Sequence, residues 1–553
     1  MSMAKQKIDL KFLSVVLLGA VTTLVLTPWI NVDALVVPKV IIVFCGAMVF
    51  LPLVVLNGKY FFQHWRLKML FFLAIWMVIQ MLFVIFLNSA PIEQQVFGKT
   101  SRGLGFLMEV SILIFILFTS RYIRFQHLHY LINGLVISTI ITSVYSILQR
   151  FGLDLFTWYS RTNGIIGTLG NPNFQSALAA IAIVPATTYL RHKGLKPKVL
   201  ALILCSVLAY TIYICQSTQG YILVSISIVV NLLIYLWYQS KQTFIGSLFI
   251  IIPVTIYSIL GMFNIGLFSN FLHKESVTSR GEFFRTAIAG ANDNPIFGVG
   301  LDSFGDVSQF YKNVNDSAGI NEFTDSAHNY FLQYAVTGGY PLAILYLLLT
   351  LLTLGSFFVL QKRIGEFSFK LSAIFSAWMG FQAQSLISPG SIPIILWGSI
   401  FSGSIIGLSV LGIQEGEIQI KSLNSLFKPS SYFLLFFGLL LIYPYFNADR
   451  LQLKSLITRD AFLAVKSSKM YPEAVLRYSQ IGVKLLESGL PDQALEVGRA
   501  AVKFNPNAVS AWALILANKS APLEERKNAQ KEILRLDPFN DEIRRIEFPS
   551  NDQ

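Results

Sequence analysis

The residues best suited to chemistry are two arginines and a histidine between Phe271 and Leu348. They occur in Ser279-Arg280-Gly281-Glu282-Phe283-Phe284-Arg285 and, after Asn294-Pro295-Ile296-Phe297-Gly298-Val299-Gly300, in Ala327-His328-Asn329-Tyr330. A guanidinium offers a forked set of donors that matches phosphate oxygens. An imidazole with a free pKa of about 6.5 takes and returns a proton near neutrality. Arginines plus one histidine therefore suit a reaction in which a diphosphate departs and a hydroxyl loses its proton. Further polar candidates stand in other connections. Arg102 lies between Gly98 and Gly103, Arg161 precedes Gly164, and Asn171 and Asn173 belong to Gly170-Asn171-Pro172-Asn173, where Asn173 is expected to cap the next helix. Gln219 sits in Gln216-Ser217-Thr218-Gln219-Gly220, and Asn329 follows His328. The acids Asp293, Asp302, Asp306, Asp316, Glu322 and Asp325 read as loop solvation and turn formation. No His, Asp or Glu cluster has metal-ligand spacing, and no Gly-rich nucleotide loop is present, so neither a metal nor a cofactor is expected.

The elements that must hold these residues are membrane spans. The chain is 54% hydrophobic and only 13% charged, whereas charged residues make up about a quarter of an ordinary soluble domain. A bilayer core about 30 Å thick needs about 20 apolar residues per helix. On that measure spans are predicted near 12–29, 34–56, 69–88, 103–119, 130–149, 174–190, 199–215, 220–238, 244–266, within 328–360, and at 370–387, 393–413 and 431–446, thirteen in all. The three cysteines, Cys45, Cys205 and Cys215, fall in apolar runs and are expected to pack rather than pair.

Basic residues set the expected orientation. With the N-terminus inside, eighteen Lys and Arg fall in cytoplasmic connections against five in the short exterior ones. This positive-inside bias accounts for much of the net charge of +13, so no nucleic-acid partner is implied. The 267–327 loop, the connections carrying Arg102 and Arg161, the turn at Gln219 and everything after 446 then share the exterior face. Of the six histidines only His273 and His328 lie there.

Residues 1–446 thus read as a membrane domain and 447–553 as a soluble helical one, with 16 basic and 14 acidic residues. Pro472, Pro506 and Pro538 recur at spacings of 34 and 32. Helical patterns between prolines at that period look like tetratricopeptide repeats, which suggests a docking surface for a protein partner.

Several motifs carry a family likeness. Gly170-Asn171-Pro172-Asn173, Arg280 with Phe284 and Ala287 ahead of Asn294-Pro295-Ile296-Phe297-Gly298-Val299-Gly300, and Ala327-His328-Asn329 ahead of Gly338-Gly339 resemble the O-antigen ligase family, across roughly residues 90–410. That superfamily also includes O-antigen polymerases and bacterial protein O-oligosaccharyltransferases. The resemblance implies an all-α polytopic glycosyltransferase of the GT-C type in the bacterial inner membrane, metal-independent, with its C-terminal domain in the periplasm. It implies a donor glycan on undecaprenyl diphosphate and an acceptor hydroxyl on lipid A core, a growing glycan or a protein. It implies catalytic roles for Arg280 and His328, with Arg285, Arg102, Arg161, Asn171, Asn173, Gln219 and Asn329 as diphosphate-binding candidates. Where many members carry Ser-Arg-Gly, this chain has Thr218-Gln219-Gly220, a neutral amide in place of a guanidinium. A transporter or flippase of lipid-linked sugars is the reading from another class. It predicts inverted repeats and ionisable residues near the bilayer midplane, whereas the arginines fall at span ends.

Overall fold

The computed structural model describes residues 9–158, 165–262, 265–272, 275–312, 323–411 and 424–548. Among them there is no β-strand. Each of the thirteen apolar runs falls largely on a helix. The first ten helices are α1 (Leu10–Leu24), α2 (Val37–Leu56), α3 (Trp65–Leu87), a short α4 (Ile92–Phe97), α5 (Phe106–Tyr122), α6 (Leu128–Arg150), α7 (Pro172–Thr187), α8 (Leu195–Ile214), α9 (Thr218–Gln239) and α10 (Lys241–Met262). The loop supplies α11 (Ser269–Leu272), α12 (Glu275–Asp293) and α13 (Phe304–Val307), and α14 (Tyr330–Ile364), α15 (Phe369–Ser385), α16 (Ile392–Val410) and α17 (Asn424–Thr458) complete the bundle.

Nine helices among the described residues are long and apolar enough to cross a bilayer. The other four, α1, α5, α7 and α15, have 15, 17, 16 and 17 residues. At 1.5 Å per residue they reach only about 22–26 Å, and they are wedged among longer neighbours. The protein is an all-α, multi-pass membrane protein.

α16 is the axis of the bundle, and every one of its residues is buried. Its Gly403 and Gly407 repeat at four residues, and small residues at that spacing let two membrane helices approach backbone to backbone. A Cβ on Gly403 would stand 2.3 Å from the Ile116 carbonyl of α5, and one on Gly407 2.2 Å from that of Ser120. This contact fixes α5 against α16, and hence the connections leading into their N-terminal ends, 98–105 and 386–391.

α14 is broken where the sequence carries Gly338-Gly339-Tyr340-Pro341. Gly339 adopts φ 77° and ψ 167°, outside helical space. Pro341 has no N–H to give. The freed carbonyls are taken by the Asn-Pro-Ile-Phe-Gly-Val-Gly stretch: Val299 N–H donates to Val336 O (2.8 Å) and Gly300 N–H to Thr337 O (3.2 Å), while Tyr340 N–H donates to Pro295 O (2.8 Å). Gln80 of α3 donates to both Ile296 O (2.6 Å) and Gly338 O (2.9 Å). The loop is thereby stitched to the bundle just before the segment that bears Asp302 and Asp306.

After α17 the chain continues as α18 (Ala461–Ser468), α19 (Val475–Glu487), α20 (Pro491–Phe504), α21 (Val509–Ala517), α22 (Leu523–Leu536) and α23 (Asp541–Arg544). α19 packs on α20 and α21 on α22, and Pro506 and Pro538 follow the second helix of each pair. The first pair closes around Tyr478, Ile481, Leu485, Ala494 and Val497. The tail also folds back on the bundle. Phe97 of α4 stacks on Tyr445 with centroids 5.8 Å apart and meets Tyr471 edge-on at 5.7 Å.

Candidate active site

His328 lies two residues before α14, with φ 52°, in the left-handed region that side chains rarely occupy. Backbone strain of this kind gathers at functional sites. The turn is over-determined by its neighbours. Ala327 N–H donates to Gln333 Oε1 (2.9 Å), and His328 N–H donates to Ser326 Oγ (3.2 Å). His328 Nδ1 lies 3.1 Å from Ser326 O. A carbonyl only accepts, so Nδ1 carries the proton and Nε2 keeps its lone pair, the form a base requires. The ring stacks on Phe283 of α12 at 5.0 Å. Burial is the main cause of a pKa pushed down to about 4, with Arg102 and Arg280 adding to it against the Ser326 hydrogen bond. The imidazole is therefore neutral at physiological pH.

Arg280 stands one helical turn before Phe284 on α12, close enough to His328 to act on its charge. It is partly buried, and burial alone lowers its pKa. Among the described residues it makes no hydrogen bond and faces no carboxylate, so its charge is uncompensated. Arg285 is exposed, and its guanidinium folds back toward Gly281 on the same helix.

The other candidates are distributed as follows. Arg102 joins the His328 surroundings, but its guanidinium is committed to Asp325, from Nε at 3.0 Å and Nη2 at 2.6 Å. Asn329 caps α14 by accepting from Leu332 N–H (3.1 Å) and donates to Leu386 O (3.1 Å). Helix α7 is capped by Asn171 and not by Asn173, since Asn171 is the residue that enters extended and accepts from Asn173 N–H (2.8 Å). Asn173 Oδ1 instead accepts from Ser217 Oγ (2.6 Å). Gln219 is buried at the start of α9, and neither atom of its amide finds a hydrogen bond among the described residues. Arg161, His273, Asp316 and Glu322 lie outside the described residues.

The loop acids are corrected by the structure. Asp302, Asp306 and Asp325 do not solvate the loop but turn inward as counter-ions. Lys99 Nζ lies 2.8 Å from Asp306 Oδ1, and Lys99 N–H donates to Asp302 Oδ2 (2.7 Å). Asp306 also accepts from Gln94 of α4 (2.8 Å) and from Asn505 of the tail (3.0 Å). Burial raises Asp302 to about 7 even against the opposing pull of Lys99. For Asp325 the attraction of Arg102 outweighs burial and lowers the pKa. Two cations three residues apart between glycines, facing carboxylates four apart at 302 and 306, were the available signal. Among the described residues no three His, Cys, Asp or Glu converge as a metal site requires.

Residues 200–347 match the family model described as O-Antigen ligase. Over this segment, about a quarter of its length, the chain is similar to the O-antigen ligase family. The O-antigen ligase segment runs from α8 to the middle of α14 and contains Arg280, Phe283, the Asn-Pro-Ile-Phe-Gly-Val-Gly stretch, Asp325, His328 and the Gly338-Gly339 break. Arg102, Asn171 and the tail lie outside it. No curated protein matches the chain.

Proposed function

We propose that the protein moves a glycan from an undecaprenyl-diphosphate carrier to an acceptor hydroxyl, in the manner of an O-antigen ligase and without a metal. The observation that carries this reading is the pairing of an uncompensated cation, Arg280, with a neutral imidazole, His328, whose Nε2 lone pair is available. An uncompensated, partly buried guanidinium is costly unless an anion arrives to meet it, and a diphosphate is such an anion. The acceptor oxygen attacks the anomeric carbon, and the bond from that carbon to the phosphate oxygen breaks. The diphosphate leaves with the bonding electrons, stabilised by Arg280, and the hydroxyl proton passes to His328 Nε2. Docking of the diphosphate also offsets the push of Arg280 on the ring, so the base strengthens when the donor is present.

Placing the N-terminus in the cytoplasm, from the distribution of lysine and arginine, puts this site and the tail on the periplasmic face of the bacterial inner membrane. The donor then enters from the bilayer. The helix pairs of the tail are read as tetratricopeptide-like. The test is a reconstituted assay with one labelled lipid-linked glycan. Loss of transfer in Arg280→Ala and His328→Ala supports the assignment, and full transfer by His328→Ala removes the base role. The fate of the label, on lipid A core, on a longer carrier-linked chain or on protein, separates ligase from polymerase and from oligosaccharyltransferase.

A further inference from the structure

A cavity of about 320 Å³ lies between the bundle and the tail, within the range of small-molecule sites, about 300–1,000 Å³. Its walls come from the loop before α2, the Arg102 connection, the start of α7, α17 and α19 of the tail. It adjoins a smaller cavity of about 40 Å³ that is lined by Ser326, Asn329 and Asp325, and the two share Arg102 and Gly390. The large cavity is therefore separated from the turn that bears His328 by Arg102 and Gly390 and by the smaller cavity, which reaches Ser326 and Asn329.

Its lining selects among ligand chemistries. The polar side chains are mainly amides and carboxylates: Asn31, Asp33, Asp449, Gln452 and Gln480. Of the three cations in the lining, Arg102 is committed to Asp325, and Lys39 and Arg477 are largely taken up by backbone. Lys39 Nζ donates to Leu35 O (2.8 Å) and Thr168 O (2.7 Å), and Arg477 donates to the carbonyls of Met470 and Pro472. Two carboxylates next to cations so engaged disfavour a phosphate, and an apolar ligand would strip water from these groups without replacing it. Hydroxyls both donate and accept, and so satisfy either kind of partner. Gln452 Nε2 donates to Gln480 Oε1 (2.7 Å), which binds bundle to tail. That bond leaves Gln452 Oε1 and Gln480 Nε2, an acceptor and a donor, without a further protein partner among the described residues. Trp158, at the wall, adds an aromatic ring whose Nε1–H is held by Asp154 Oδ2 (3.1 Å), which leaves the apolar body of the ring as its contribution.

We propose that this cavity seats sugar hydroxyls of the glycan being transferred, so that the tail supplies part of the carbohydrate site. The proposal rests on the glycan-transfer reading above. Leu476 lines the cavity from the tail and is 42% exposed, so it accepts a probe without disturbing a core. The experiment places the photo-reactive residue benzoylphenylalanine at Leu476 in one full-length chain and at Phe284, one turn from Arg280, in another. Each chain is irradiated in native membranes that hold its own lipid-linked glycan, purified, oxidised with periodate and labelled with a hydrazide that reads vicinal diols. The expected result is light-dependent labelling at 476 that falls severalfold in Trp158→Ala and in Gln480→Leu. Labelling at 284 but not at 476 overturns the glycan seat and leaves the transfer reading standing. Labelling at neither position overturns both. Labelling at 476 that is indifferent to both substitutions overturns the roles given to Trp158 and Gln480, and with them the seat.

Discussion

Asp325 accepts two hydrogen bonds from the single guanidinium of Arg102, at 3.0 and 2.6 Å, and so ties the connection before α5 to the residue three before His328. Both side chains retain about a fifth of their exposure, 19% and 24%, so the pair is neither a surface ion pair nor a fully desolvated one. Arg102→Ala and Asp325→Ala should each lower the melting temperature. In a double-mutant cycle their losses should be non-additive by about 0.5–3 kcal/mol. Additive losses in thermal unfolding would separate the two residues.

Arg280 has the opposite energetics. With no counter-ion among the described residues, its buried charge is a cost to folding, so Arg280→Gln should leave the melting temperature unchanged or raise it. Transfer should nonetheless fall roughly 10²–10³-fold, the usual loss on removing one group that stabilises a developing anion. Unfolding and single-turnover transfer on the same preparation check both halves. A stability loss equal to that of Arg102→Ala would mean that Arg280 has a structural partner.

His328 makes stability depend on pH with a definite sign. Its folded pKa is about 4, against about 6.5 when free. Between those values the unfolded chain binds a proton that the folded protein refuses, so stability falls as pH drops from about 6.5 toward 4 and is level above that window for this group. The full effect is at most about 3 kcal/mol at 1.36 kcal/mol per unit. His328→Asn, which tolerates φ 52°, should flatten the slope. Denaturation at pH 7 and pH 5 reads the difference.

The loop-to-α14 seam depends on two glycines. A Cβ on Gly298 would stand 2.4 Å from Thr337 C, and one on Gly339 2.2 Å from Ile296 O, both at positive φ. Gly298→Ala and Gly339→Ala should each cost at least the roughly 1–3 kcal/mol of the strained backbone, with lower yield of folded protein. Gly355, further along α14, has nothing within 4 Å of its Cβ position. Its replacement by alanine should be neutral or stabilising by up to about 1 kcal/mol. Size-exclusion profiles and melting curves of the three variants test the contrast.

The apolar runs made the bundle legible, because helix length and hydropathy are local properties of the chain. The same holds for the polar loop that carries Arg280 and His328, whereas the break in α14 at Gly339 was not expected from the sequence. What stayed hidden was pairing across distance. Asp302, Asp306 and Asp325 looked like loop solvation because their partners Lys99 and Arg102 lie more than two hundred residues earlier, and no periodicity records such a match. The cap of α7 was misassigned by two residues for a smaller reason. Asn-Pro-Asn offers two equivalent amides, and only the backbone, extended at Asn171, distinguishes them.

Asn505 donates to Asp306 from 199 residues further along the chain. During synthesis the loop is made long before this donor exists, so the carboxylate waits with one of its hydrogen bonds unmade. A nascent chain halted before the tail would hold Asp306 on Lys99 and Gln94 alone. The arrangement makes the last polar contact of the loop a late event of synthesis.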